Sequence, residues 1–210
     1  MHAFSEAFRA ELDALLRARR DVRRFRRDPV PEPLLLHLLE QANLAPSVGL
    51  SQPWRFIRVQ SPKLRAAVAT AFEAANAAAA SGYEGARAET YKRLKLEGLG
   101  QAPEHLLICC ETAPAQGHGL GRQTQPQTLR DSVVCAIQIL WLAARAEGLG
   151  IGWVSILDPQ GLREAFDLPP TWEWVAYLCV GWPEAFLDIP ELEAEGWEQR
   201  RPLADVLERR

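Results

Sequence analysis

Ala45-Pro46-Ser47-Val48-Gly49-Leu50-Ser51-Gln52-Pro53-Trp54-Arg55-Phe56 stands between an apolar helical run and an apolar extended run, so it joins a helix to a strand. Pro46 and Pro53 bracket it and remove two backbone donors, while Gly49 permits a conformation that other residues avoid. The remaining N–H groups and the small hydroxyls of Ser47 and Ser51 are left to face a polar ligand. A Pro/Gly/Ser segment alone is also what an ordinary surface turn looks like. Its company gives it weight: an arginine-rich segment upstream and a glycine turn into a strand downstream.

Working upstream, Glu32 to Leu44 reads as a helix with Leu34, Leu35, Leu38, Leu39 and Ala42 on one face. Before it lies Arg19-Arg20-Asp21-Val22-Arg23-Arg24-Phe25-Arg26-Arg27-Asp28, six arginines in nine residues, stopped by Pro29 and Pro31. Val22 and Phe25 suit apolar anchors for a segment that offers guanidinium groups to an anion, phosphate above all; the alternative is a solvated basic loop. Ser5 to Ala18 is expected to be a helix capped by Ser5, with Phe8, Leu12, Leu15 and Leu16 at helical spacing.

Downstream, Trp54 to Gln60 reads as a strand, and Pro62 opens an Ala-rich helix to Ala80. Residues 82–100 are polar, helical in the middle, and suit a cover over a site; residues 113–126, rich in Gly, Gln and Thr, suit a mobile loop. Between them Leu106-Leu107-Ile108-Cys109-Cys110 has the continuous apolarity of a buried strand. Thr128 to Glu147 is the longest helix, apolar nearly all round, as expected of a central or interfacial position. Gly148-Leu149-Gly150-Ile151-Gly152-Trp153-Val154-Ser155-Ile156-Leu157-Asp158-Pro159 then enters a strand. These glycines follow a helix and precede a strand, the reverse of the dinucleotide fingerprint. Trp172 to Val180 is a further strand, and residues 184–210 form an acidic, extended arm ending near Arg200-Arg201, expected to lie across a partner subunit.

Composition bounds the reading. The 210 residues fit one domain; 48% hydrophobic and 24% charged residues fit a soluble globular protein with a substantial core. A formal net charge of -3 argues against a nucleic-acid binder, and no apolar run is long enough to span a bilayer. The N-terminus lacks a signal-peptide pattern, and Cys109, Cys110, Cys135 and Cys179 lack zinc-type spacing, so a cytoplasmic protein with reduced thiols and no metal is expected. His37 and His118 are left out of the chemistry.

The basic segment, the Pro-Ser turn, the late glycine strand and the terminal arginine pair together resemble the flavin-dependent nitroreductase superfamily over essentially the whole chain. That resemblance implies an α+β fold with a central, mostly antiparallel sheet flanked by helices, in an intertwined homodimer with an extended C-terminal arm and FMN at the interface. Within the superfamily the closer resemblance is to the aerobic branch that makes 5,6-dimethylbenzimidazole, the lower ligand of cobalamin. It rests on Arg19 to Phe25, Ala45 to Trp54 and Gly152 to Pro159, the last run being the most specific. The Asp at position 21 matters because ordinary nitroreductases usually carry a small hydroxyl residue there.

The implied reaction consumes reduced FMN with O2, giving dimethylbenzimidazole and erythrose 4-phosphate. NAD(P)H enters only through a separate flavin reductase. Such a reaction needs several proton transfers beside the flavin, which gives a carboxylate work that hydride transfer alone would not. Asp21 is the candidate general acid/base, its alternative being a structural ion pair; Ser155 is the second candidate, as a hydroxyl near flavin N5, its alternative an ordinary strand serine. The resemblance puts the phosphate on Arg19, Arg23 and Arg201, with Arg20 and Arg200 open because adjacent arginines can exchange register. Ser47 and Leu50 are expected at the ribityl chain or ring, and Leu96, with Tyr91 and Lys95, in a lid that keeps water out. The rival readings are an NAD(P)H-dependent nitroreductase or flavin reductase and a flavin-binding protein without turnover. A nucleic-acid binder using the arginine run is disfavoured by the acidic balance.

Overall fold

The computed structural model describes residues 3–210. Four strands form one antiparallel sheet in the order β1-β2-β4-β3: β1 Trp54–Arg58, β2 Glu104–Glu111, β3 Gly150–Val154 and β4 Trp172–Gly181. Both faces of β2 are buried, which is why its sequence is continuously apolar rather than alternating. Leu106, Ile108 and Cys110 belong to a core shared with α2 (Glu32–Ala42) and α5 (Thr128–Ala146). Leu107 and Cys109 join the opposite core, which contains Val68 and Phe72 of α3 (Pro62–Ala80) and Leu162 of α6 (Pro159–Ala165). The fold is therefore α+β, a sheet between two helical layers.

Helix starts follow the capping residues. Ser5 Oγ accepts the Phe8 N–H at the head of α1 (Glu6–Ala18), and Asp158 accepts from Gln160 and Gly161 at 3.3 and 2.7 Å at the head of α6. The polar segment after α3 carries α4 (Gly85–Arg93). α5 buries one face (Val133, Ala136, Ile137, Leu140, Trp141, Ala144), whereas Val134 and Cys135 are exposed. α1 buries none of its residues, and Phe8, Leu12 and Leu16 are 40–50% exposed. Its apolar stripe thus has no complete cover within the chain.

The 113–126 loop has a definite seat. Gln116 donates to the Leu50 carbonyl at 2.7 Å and to Gln52 Oε1 at 3.0 Å, so the loop clamps the turn on which the sequence reading rested. The acidic arm lies on its own chain as far as Trp197, whose ring meets those of Tyr83 and Tyr91 and whose carbonyl accepts from Arg87 at 2.5 Å. Its short helix α7 (Glu191–Ala194) sits against the arginine segment. Residues 198–210 are exposed. Among the described residues no helix is long and apolar enough to cross a membrane, and no group of three His, Cys, Asp or Glu side chains is placed to hold a metal.

Candidate functional site

β3 pairs with β4 on one side only, so its other edge presents unpaired amides. The arginine segment occupies that edge. Val22 N–H donates to the Ile151 carbonyl at 2.9 Å, Arg26 N–H to the Trp182 carbonyl at 2.8 Å, and Trp141 Nε1 to the Arg20 carbonyl at 3.0 Å. Val22 and Phe25 are the buried anchors, 6% and 1% exposed, as their place between arginines predicts. The glycines of β3 make the approach possible: a Cβ on Gly152 would lie 2.1 Å from the Val22 carbonyl oxygen, and one on Gly150 would lie 2.6 Å from the Val22 side chain. Glycine is required here by close backbone approach rather than by its torsion angles.

This docking aims Asp21 across the strand edge. Its Oδ1 accepts the Trp153 N–H at 2.9 Å, and Oδ2 accepts Arg23 Nε and Nη2 at 3.1 and 2.9 Å. Desolvation raises the Asp21 pKa above the ordinary carboxylate value, opposed by Arg23, the Trp153 amide and Arg19. The side chain keeps 31% of its surface exposed, so this carboxylate is fixed in direction yet open on one side.

The predicted arginines divide by what they already hold. Arg20 donates to the carbonyls of Arg17, Arg19, Leu187 and Asp188, which makes it a strut between α1 and the arm rather than a free anion ligand. Arg23 is likewise committed, to Asp21 and, at 2.8 Å, to the Lys95 carbonyl. Arg19 lies over the Trp141 ring at 5.0 Å and has no carboxylate within ion-pair distance among the described residues. Burial lowers its pKa, opposed by Asp21 and reinforced by Arg200 and Arg20. Of Arg200 and Arg201, both exposed, Arg200 is the one whose charge is felt at Arg19.

Ser155 stands exposed just past the end of β3, two residues from the amide that holds Asp21. Leu96 is half-buried, packed on the second core next to the Lys95 carbonyl that Arg23 grips. The structure thus gathers Asp21, Arg23 and the end of β3 near Trp141 in the C-terminal half of α5, with Leu96 packed on the opposite core. Ser47 and Leu50 lie elsewhere. Ser47 Oγ accepts the Gln52 N–H at 3.1 Å and so braces its own turn, while Val48 N–H donates to Ser132 Oγ near the start of α5 at 3.1 Å. Ser132 and Trp141 are separated by roughly 13 Å of helix. Leu50 and Gln52 take positive φ values, 55° and 42°, and Leu50 holds its side chain 70% exposed. The turn and the Asp21 cluster are two half-sites at opposite ends of α5.

Sequence reading missed three participants. Trp153 lies in the run singled out as most specific, but its amide's hold on Asp21 was not foreseen; the Trp141 ring carries no motif, and Glu191 of α7, which pairs with Arg24 and approaches Arg23, lies far along the chain. An acidic tail complementary to a basic segment was the one available signal.

An antiparallel sheet between helical layers, with a basic segment docked on a glycine strand, is the architecture of the nitroreductase family, and the chain belongs to that family, whose model matches residues 16–182. Over 199 residues it is 55% identical to the 5,6-dimethylbenzimidazole synthase of Rhodospirillum rubrum, covering 95% of this chain and 94% of that one. It is 50% identical to the 5,6-dimethylbenzimidazole synthase of Rhodobacter capsulatus, covering 95% and 96% of the two chains. Among solved structures, an iodotyrosine deiodinase bound to FMN and 3-iodo-L-tyrosine superposes with a TM-score of 0.71 at 28% identity, over 84% of this chain and 91% of that one.

Proposed function

We propose that this protein is an oxygen-dependent enzyme that converts reduced FMN to 5,6-dimethylbenzimidazole and erythrose 4-phosphate for the lower ligand of cobalamin. The observation that carries the reading is the 55% identity over 95% of the chain to a synthase of that name. The carboxylate held at the outer edge of β3 by the Trp153 amide agrees with it.

The residues present fit a flavin phosphate. Arg19 is half-buried, pressed by like charge from Arg200 and Arg20, and without an ion-pair partner of its own, a balance that a bound dianion would relieve. Arg19 and Arg200 would take the phosphate, with Arg201 beside them. When bound, reduced FMN supplies the carbon and nitrogen atoms of the product and reacts with O2. Asp21 would hold and move protons, with the Trp153 N–H on Oδ1 and the Arg23 guanidinium on Oδ2 fixing its direction. The Ser155 hydroxyl, exposed just past β3, would hold a proton beside the flavin ring. Leu96 and its loop exclude water.

The active form is a homodimer. Leu50 and Ser47 sit a helix length from Asp21 in the same chain, so a second copy would bring one chain's turn to the other's Asp21 cluster. The uncovered stripe of α1 (Phe8, Leu12, Leu16) and the exposed Val134 of α5 supply apolar surface for that contact. Reduced FMN comes from a separate flavin reductase, and the enzyme works in the cytoplasm without using NAD(P)H itself.

The test is an aerobic incubation with FMN, NADPH and an unrelated flavin reductase, followed by mass spectrometry. Dimethylbenzimidazole that depends on the protein is the expected product. Asp21→Asn and Ser155→Ala should still bind FMN yet lose most product. Intact FMN, with a nitroarene reduced in the absence of added reductase, would instead identify an NAD(P)H-dependent nitroreductase.

A further inference from the structure

The arm reaches the Asp21 cluster through one acidic residue. Glu191, at the start of α7, has a side chain only 11% exposed, and its two oxygens face two arginines of the docked segment. Oε1 accepts from Arg24, and Oε2 lies 4.0 Å from Arg23 Nη1. Arg23 is itself 11% exposed, and each nitrogen of its fork has a partner: Nε and Nη2 on Asp21 Oδ2, Nη1 on the Lys95 carbonyl. A cleft of about 110 Å³, lined in part by Asp21, Arg23, Arg24 and Glu191, runs between the carboxylate at the strand edge and the carboxylate of the arm.

We infer that Glu191 is a positioning residue for Asp21: by sharing the charge of Arg23, it limits how strongly that guanidinium holds Asp21 in its ionised form. The chain of contacts is Glu191, Arg23, Asp21, and it ties the seating of the C-terminal arm to the proton affinity of the carboxylate. This rests on the acid/base role assigned to Asp21 above. A guanidinium flanked by two carboxylates favours ionisation of each less than it would favour one alone. Glu191 is well placed to act this way because it is largely shielded from water, where its charge is screened least.

Besides Arg23, the charged or titratable groups facing Asp21 are Arg19 on its own segment and Cys179 on β4; Arg20, Arg24 and Glu184 line the same cleft, and Lys95 pairs with Glu97 on the loop whose carbonyl holds Arg23. Arg200 of the arm acts at one remove, through Arg19. None of these changes in a Glu191 variant, so the comparison isolates one charge.

The experiment reads the Asp21 carboxyl directly, in the FMN-free full-length protein. Aspartate is labelled with 13C at the side-chain carboxyl, the Asp21 resonance is assigned by its loss in Asp21→Asn, and its titration is followed by NMR. Glu191→Gln keeps the shape of the side chain and removes its charge. Asp21 should then titrate at lower pH than in the wild type, since all of the Arg23 charge is left to it. Arg24→Gln removes the other partner of Glu191 and leaves that carboxylate to Arg23 alone, so Asp21 should titrate unchanged or higher.

An arm that merely holds the cluster together would move both variants the same way. A fall in both, or a Glu191→Gln titration that is unchanged or raised, overturns the inference. In the product assay, the pH limb that Asp21→Asn abolishes should move down with Glu191→Gln by the same amount. Absence of product from the wild type would defeat the synthase reading while leaving the titration a full test of the coupling.

Discussion

Gly152→Ala should dismantle the candidate site without touching any of its side chains. The new methyl would stand 2.1 Å from the Val22 carbonyl oxygen, well inside the 3.4–4 Å of an ordinary Cβ contact, and the obstacle is backbone rather than a yielding side chain. Relief requires the arginine segment to lift from the edge of β3. Lifting stretches the 2.9 Å bond from Val22 N–H to Ile151 and the 2.9 Å bond from Trp153 N–H to Asp21 Oδ1.

Overpacking of this kind costs about 1–3 kcal/mol, and a hydrogen bond to a charged group contributes about 1.5–3 kcal/mol. Alanine recovers about 0.5 kcal/mol through the unfolded chain. A net loss of about 2–5.5 kcal/mol is expected in urea unfolding, together with faster exchange of the Trp153 amide and loss of most product formation. If Gly152→Ala unfolded within 0.5 kcal/mol of wild type (a margin of about the usual mutational scatter) and the Trp153 amide kept its protection, close approach would not be the reason for glycine here.

Other predictions address the core, a cap and the subunit contact. His105 is fully buried against the Tyr177 hydroxyl at 2.9 Å, and burial pushes it down to about 4 from an ordinary value near 6.5. The unfolded chain therefore takes up the proton first, and stability rises with pH from about 4 to about 6.5 and then levels. The wild type should be about 2 kcal/mol more stable at pH 7 than at pH 5 from this residue, a difference that His105→Asn should remove in paired urea titrations. Asp158→Ala removes the cap of α6 and should cost about 1 kcal/mol in the same assay. A full-strength wild-type midpoint would show that the cap is dispensable. Leu12→Ser combined with Leu16→Ser should shift the protein from dimer to monomer in sedimentation velocity while helix content stays constant. A dimer unaffected at micromolar concentration would place the subunit contact elsewhere.

Local rules account for much of what could be read in advance. Helical spacing in residues 5–18 and 32–44, the caps at Ser5 and Asp158, and the unbroken apolarity of residues 106–110 each report an environment that a few neighbouring residues determine. The arginine segment with its two apolar anchors, and the glycines of β3, were visible as separate features. Close approach of one to the other was not, because Val22 and Gly152 are far apart in sequence and meet only when the sheet leaves an edge open.

The roles within the arginine run were likewise a tertiary decision. By sequence, Arg19, Arg20 and Arg23 are alike; in the fold Arg20 becomes a strut on backbone carbonyls, Arg23 the holder of Asp21, and the Arg19 guanidinium lies over the Trp141 ring with no carboxylate or carbonyl partner among the described residues. The same holds for the arm, whose acidity could be read in advance but whose contact with Arg23 and Arg24 through Glu191 could not. Amino-acid pattern determined which segments form helices and strands and which residues carry chemistry, since those depend on local backbone preference and side-chain type. The partner each charged group takes depends on distances between elements remote in the chain, and only the packed structure sets those.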